Sequence, residues 1–244
     1  AGTLLHYSRR AINLDFGSRV ITLLNRAGIL TPSSIILDAD ALERIEEAFI
    51  DGDNLTSSRF SVIIENPVDL KLHIHGGADI AFVERILRSH LRQKERSIMN
   101  ALLSILGEEI APPTSWLETI VLRDQIRSLN ENSVIGVASK LLGKGFGLTP
   151  SGDDFILGMI SIMDLFGEDV SALRRLVAPY RNVFARTVLA DALDGYYPRP
   201  VLSMLNSFAS KAGADCSAAS LLRMGHTSGH DVIAGMYYAT WKLV

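Results

Sequence analysis

The chain has a single cysteine, few aromatic residues and no block of like charge, and no apolar run approaches the ~20 residues that a membrane span needs. A lone Cys216 excludes an internal disulfide and a thiolate metal site, and it points to a reducing compartment, so a cytoplasmic location is expected. In its Ala- and Ser-rich surroundings, with no histidine near in sequence, Cys216 reads as a small buried apolar residue rather than a nucleophile. The start lacks a basic stretch followed by an apolar one, so the protein is expected to be neither exported nor membrane-embedded. Ala1 in place of Met hints at a trimmed or incomplete start. Lys and Arg total 24 against 27 Asp and Glu, a net charge of −3, and the basic residues are scattered except near Arg85 to Arg96. That balance gives no nucleic-acid footprint.

What is present is a chain of 244 residues with 48% hydrophobic content, enough for a large core. Up to residue 76 short β-type runs alternate with turn signals: 19–24, 34–37, 60–65 and 70–75. Leu42, Ile45, Glu46 and Phe49 have helical spacing, which predicts a short connecting helix over 40–50. From residue 77 on, Ile80, Val83, Leu87, Leu91, Ile98, Leu102 and Leu106 keep a three-to-four spacing that predicts one long helix ended by Pro112-Pro113. Thr114 or Ser115 can cap the next helix, which carries Trp116, Ile120, Leu122 and Ile126. Further helices are expected at 131–142, 150–166, 171–193, 199–211, 215–224 and 228–242. The fold class is therefore α+β: a small N-terminal β-sheet or barrel over 1–76, packed on a larger helical subdomain over 77–244.

Two of these helix starts share one pattern. Ser151-Gly152-Asp153-Asp154 and Ser228-Gly229-His230-Asp231 are each followed by three residues and Gly-Met, 77 residues apart. In the first, Gly143-Lys144-Gly145-Phe146-Gly147 is a flexible turn, Thr149 is a natural N-cap and Pro150 suits the first helical position. In the second, Gly225 ends one helix and His226-Thr227-Ser228 leads into the next. Gly158 and Gly235 follow the motif aspartates by four residues, which predicts close helix packing with Asp154 and Asp231 near the crossing. Ser151 and Ser228 should then lie together and line one concavity.

Ser-x-x-Asp is also a capping-box variant, so pure capping is the alternative. Against it, glycine is a poor helix former just after a cap, and its repeated use implies that something approaches the backbone closely. Free N–H groups at two helix starts would receive an anion. The order GxxxxGK[ST] is absent, so this is no P-loop. The carboxylates of Asp153 and Asp154 oppose a bare anion. Either Mg²⁺ bridges them to a phosphate, or one aspartate turns inward to the backbone while Lys144 meets the anion. The second arrangement is preferred, with no metal or other cofactor assigned.

Other candidates are weaker. His73 and His75 share a strand face with Asp79 nearby, an incomplete metal set against the reading of polar residues at a strand end. His226 and His230 lack the glutamate of HExxH; His226 could hydrogen-bond a ligand or carry a proton, or simply stabilise a turn. Arg186, with Thr187 and Asp191 on one helix, could clamp a carboxylate or phosphate, or belong to a polar stripe.

The strings GKGFGLTPSGDDFILGM and GHTSGHDVIAGM, with RRAINL near the start, resemble a bacterial and archaeal family long known as a domain of unknown function. One branch is a subunit of oxamate carbamoyltransferase, the last enzyme of anaerobic allantoin degradation. The resemblance implies carbamoyl transfer between carbamoyl phosphate and oxamate, giving oxalurate and phosphate, within an enzyme that needs two further subunits. Phe146 stands where the family often has proline, Gly152 where that branch can carry histidine, and Arg186-Thr187 where a Thr-Thr or similar pair is common. The expected site comprises His226, Asp154 and Asp231 as catalytic or orienting groups. Lys144, Gly145, Gly147, Thr149, Ser151, Gly152, Arg186, Thr227, Ser228 and Gly229 would hold a small anionic substrate. The alternatives are a non-catalytic or metabolite-sensing subunit, and Mg²⁺-dependent phosphate chemistry on Asp153, Asp154 and Asp231.

Overall fold

A computed structural model describes residues 1–65, 67–74, 77–131, 133–145 and 147–243. The first part is a seven-stranded sheet curled as a half-barrel. Its strands are β1 (Gly2–Tyr7), β2 (Ala11–Asp15), β3 (Val20–Leu24), β4 (Ser34–Ile36), β5 (Glu47–Asp51), β6 (Asn54–Ser57) and β7 (Ser61–Ile63). They lie in the order β4-β3-β2-β1-β5-β6-β7, antiparallel except for β3 with β4. Alternation places Ile12 and Leu14 on the inner face with Leu23, Ala48 and Leu55.

The segment expected to be a helix over 40–50 is not one. Its backbone bonds go outward instead: Leu42 N–H donates to Arg9 O at 2.9 Å, Tyr7 OH to Leu42 O at 3.0 Å and Asn25 Nδ2 to Asp40 O at 2.7 Å. Leu42, Ile45 and Ala48 do share one apolar environment, as their three-residue spacing suggests, but Ala48 reaches it from the alternating strand β5. The 70–75 strand is also absent among the described residues. Leu72 N–H donates to Gly195 O at 2.8 Å and Tyr197 N–H to Leu70 O at 3.0 Å, so this segment ties to the helical part rather than to the sheet.

The helices are α1 (Ile80–Ser89), α2 (Met99–Ile105), α3 (Trp116–Leu129), α4 (Val134–Leu141), α5 (Ser151–Phe166), α6 (Ser171–Val177), α7 (Val183–Leu193), α8 (Arg199–Ser210), α9 (Ala214–Leu222) and α10 (Ser228–Leu243). The single long helix expected from residue 80 is two, broken where Arg96 adopts φ 62°. The 171–193 helix is likewise two, because Pro179 removes a backbone donor. Ser115 caps α3 by accepting from Glu118 N–H at 3.3 Å. Cys216 is exposed, not buried, since its position on α9 faces away from Ala214, Ala218 and Leu221. No helix among the described residues is long and apolar enough to cross a membrane.

α5 and α10 are apolar almost throughout and cross at their glycines. A Cβ on Gly158 would stand 2.1 Å from Val232 O, and one on Gly235 would stand 1.9 Å from Phe155 O. Each helix thus presents a missing side chain to the other's backbone. Because the obstacle is main chain on a second buried helix, neither side can yield without separating the pair. Gly158→Ala or Gly235→Ala should each lower stability by about 3 kcal/mol. Denaturant midpoints would register this; unchanged midpoints would contradict the crossing.

Candidate functional site

The crossing places the two motif starts side by side, as expected. Thr149 Oγ1 donates to Asp154 Oδ2 at 3.2 Å, and the Ser228 hydroxyl of the other motif stands against the same carboxyl. In return the hydroxyls of Ser151 and Thr227 lie close to Asp231. The arrangement is reciprocal: each motif's serine faces the other's aspartate. It is a buried contact rather than the floor of a cavity, for Ser151, Gly152, Asp154, Gly229 and Asp231 are all buried.

The two motif glycines have a different cause from the one their sequence suggested. A Cβ on Gly152 would stand 1.9 Å from Leu141 O, and one on Gly229 would stand 1.9 Å from Leu221 O. What approaches the backbone is the end of the preceding helix, α4 or α9. The first amides are likewise engaged by the chain itself. Gly152 N–H donates to Lys144 O at 2.8 Å and Gly229 N–H to Met224 O at 3.0 Å. Asp153 and Asp154 donate to Pro150 O, and His230 and Asp231 to Thr227 O. Thr149 does not cap α5 either: Pro150 holds the N-cap position, and the threonine hydroxyl goes to Asp154.

Asp153 turns inward. It accepts from Gly143 N–H at 2.7 Å and from Tyr180 OH at 2.8 Å, fixing the glycine-rich loop, where Gly143, Gly145 and Gly147 all have positive φ. Burial raises its pKa, against those two donors. Burial also pushes Tyr180 upward, reinforced by Asp153. Lys144 lies on the exposed loop with its ammonium 3.3 Å from Asp124 of α3. Phe146 is outside the described residues.

Asp231 accepts from Ser97 Oγ at 2.5 Å and from Ile98 N–H at 2.8 Å, while its Oδ2 has no hydrogen-bond partner. Ser151 Oγ donates to Arg96 O at 3.3 Å. Both motifs therefore hold the 96–98 segment, which keeps Arg96 in the left-handed region. No local pattern signals this role for Ser97, which sits in what reads as an unbroken helix. Tyr180 was equally hidden, being placed by the break at Pro179.

His226 is exposed, and His230 is half-buried with an unpartnered Nδ1. Burial, then Lys94 and His226, lower the pKa of His230. Arg186 reaches Tyr180 O at 3.3 Å and lines a cavity of about 340 Å³ with Arg19 and Arg174, between the β2–β3 turn and α7. Both companions are paired, Arg19 with Asp191 at 2.5 Å and Arg174 with Asp194 at 2.7 Å. Thr187 Oγ1 accepts from Val20 N–H at 2.9 Å, docking α7 on the sheet. His73 bonds Asp69 at 2.6 Å, Asp79 caps α1 and pairs with Lys211, and His75 lies outside the described residues. Among the described residues no three His, Cys, Asp or Glu side chains converge on a metal position.

Asp154 and Asp231 are two carboxyls buried together. Burial, then the Asp231 charge, push Asp154 well above its ordinary value; burial pushes Asp231 to about 7. A raised carboxyl pKa means that the native state binds a proton the unfolded chain releases. Stability contributed by this pair is present at low pH and is lost as pH rises from the unfolded value of 3.8 through about 7. The limiting slope is about 1.4 kcal/mol per pH unit for each proton. Asp231→Asn should flatten the fall in melting temperature between pH 5 and pH 8. A variant profile parallel to the parent's would mean that Asp231 does not hold the proton.

Residues 141–240, which carry the glycine-rich loop, α5 and nearly all of α10, match the family model described as oxamate carbamoyltransferase subunit AllH. No solved structure matches the chain. The match spans both reciprocal helix starts, and over that region the chain is similar to the family of the oxamate carbamoyltransferase subunit AllH.

Proposed function

We propose that this chain is the subunit of a carbamoyltransferase, of the oxamate and carbamoyl phosphate type, that binds a small anion where the 143–149 loop meets the 225–228 turn. The observation that supports this reading is the meeting of Thr149 and Ser228 on the single carboxyl of Asp154, which brings two loops together from distant parts of the chain. With the helix-start amides engaged, the donors are Lys144, the loop backbone at Gly145 and Gly147, His226, Thr227 and Ser228. Ser151, Gly152 and Gly229 shape the base beneath them. Arg186 supports the loop through Tyr180 and Asp153. Burial holds Asp154 and Asp231 toward their neutral forms, which lessens the repulsion an anion would meet.

In this reading the oxamate nitrogen attacks the carbamoyl carbon, the bond from that carbon to the phosphate oxygen breaks, and the nitrogen loses a proton to His226. Fixed donors at the rim stabilise charge developing on the carbonyl and phosphate oxygens. A cytoplasmic setting, the division at residue 76 and the absence of a cofactor, with Mg²⁺ as the alternative, belong to the same proposal. So does a surface for the other subunits: α3 exposes Trp116, 75% accessible, beside Leu117 and Ile120. The engaged amides favour one competing reading, a non-catalytic subunit whose motifs fix the fold.

Carbamoyl phosphate or phosphate should raise the melting temperature without Mg²⁺, less so at high salt, and Lys144→Ala should lose most of the shift. Stabilisation that needs Mg²⁺ and is abolished by Asp154→Asn would support the metal alternative. No shift, even with partner subunits co-expressed, would leave the non-catalytic reading. Trp116→Glu should abolish co-purification of those subunits while leaving the melting temperature within about 2 °C, as surface substitutions do; undiminished co-purification would remove α3 from the interface.

A further inference from the structure

A cavity of about 280 Å³ is lined by the segment that the two motifs hold. Its walls are the 93–97 segment, the 111–114 turn and the face of α3 that carries Glu118, Val121, Leu122 and Gln125. Gln125 is 3% exposed, and its carboxamide makes no hydrogen bond among the described residues. A buried amide without a partner costs free energy unless something supplies one. The side chain of a residue this buried reaches open space only through the cavity it lines.

Lys94, on the same wall, is half-buried and has no carboxylate partner among the described residues. Its backbone is fixed by Asn100, whose Oδ1 accepts from Lys94 N–H at 3.0 Å. The remaining charges at the mouth answer one another: Arg96 Nε lies 3.0 Å from Glu118, which also accepts from the Thr114 amide and hydroxyl. Glu95 is turned largely to solvent. Inside the cavity this leaves one unanswered positive charge and one unanswered amide. A phosphate dianion would find a single cation there; a monocarboxylate is matched.

We propose that this cavity binds a small molecule carrying a carboxylate beside an amide or carbamoyl group, with Gln125 pairing to the amide and Lys94 to the carboxylate. A glutamine offers one donor and one acceptor to a primary amide, which offers the reverse pair. The left-handed backbone at Arg96, held by Ser151 on its carbonyl and by Asp231 on the two residues that follow, sets the position of this wall. Such enforced backbone is common at ligand clamps. The inference rests on the carbamoyltransferase reading only for its choice of probe, oxamate, and it gives the two motifs a second duty as the anchor of that wall.

The test is calorimetric titration of the full chain with oxamate, alone and assembled with its partner subunits. Saturable binding is expected, weakened at least tenfold by Lys94→Met and by Gln125→Leu and left unchanged by Lys140→Met on the outer surface. Val121→Phe, which fills the cavity without removing a polar group, should also abolish binding and serves if Gln125→Leu fails to fold. Oxamate bound equally well by all these variants overturns the inference, as does no binding to either form of the parent. An assembled enzyme that transfers carbamoyl groups with an unaltered KM for oxamate in Lys94→Met would also overturn it, leaving the functional reading intact. Binding lost in the variants of a complex that has no transferase activity would support the cavity and defeat that reading.

Discussion

Two carbonyl oxygens, Val232 O and Phe155 O, stand where Cβ atoms would otherwise be, and this backbone-to-backbone contact between α5 and α10 governs the helical part. Only glycine at both 158 and 235 permits it. The same close approach recurs six residues earlier in each helix, where Gly152 and Gly229 receive Leu141 O and Leu221 O. Four glycines thus set how α4, α5, α9 and α10 meet, and the aspartates follow from that geometry. Asp154 and Asp231 are brought together in the interior because the crossing lies four residues beyond each of them.

Once those carboxyls are together, they cannot both keep their charge at little cost. Burial raises the pKa of both, the Asp231 charge adds to the rise at Asp154, and hydroxyls from the opposite motif supply part of the compensation. Asp231 uses one oxygen to fix Ser97 and Ile98, extending the influence of the crossing to the cavity beside α3. Asp153 works in the other direction, through Gly143 and Tyr180, to shape the glycine-rich loop. Asp153, Asp154 and Asp231, grouped together in the Mg²⁺ alternative, therefore serve different neighbours.

The sequence revealed what depends on local pattern. The twin motifs, the apolar periodicity of α5 and α10, and the pairing implied by Gly158 and Gly235 could be read directly, since each is recorded within a few residues. The family resemblance rested on the same strings. What could not be read depends on partners far along the chain: the 40–50 segment has helical spacing, but its backbone bonds go to Arg9, Tyr7 and Asn25. The break between α1 and α2 was hidden because Leu91 and Ile98 keep the helical rhythm through it. Gly152 and Gly229 were correctly seen as sites of close approach, yet the visitor was a carbonyl of the chain itself, which no local pattern identifies. Lys94 and Gln125 drew no attention, because an unpartnered side chain is recognisable only when its surroundings are known.

If the α5–α10 crossing anchors both the motif loops and the wall beside α3, opening it should release them as one unit. Hydrogen exchange followed segment by segment in the parent and in Gly158→Ala measures this directly. Protection should fall together at 94–100, 151–158 and 228–235 in the variant, with strands β1 to β3 exchanging as in the parent. Loss confined to α5, with 94–100 still protected, would show that the segment beside the cavity is held by something other than the paired helix starts.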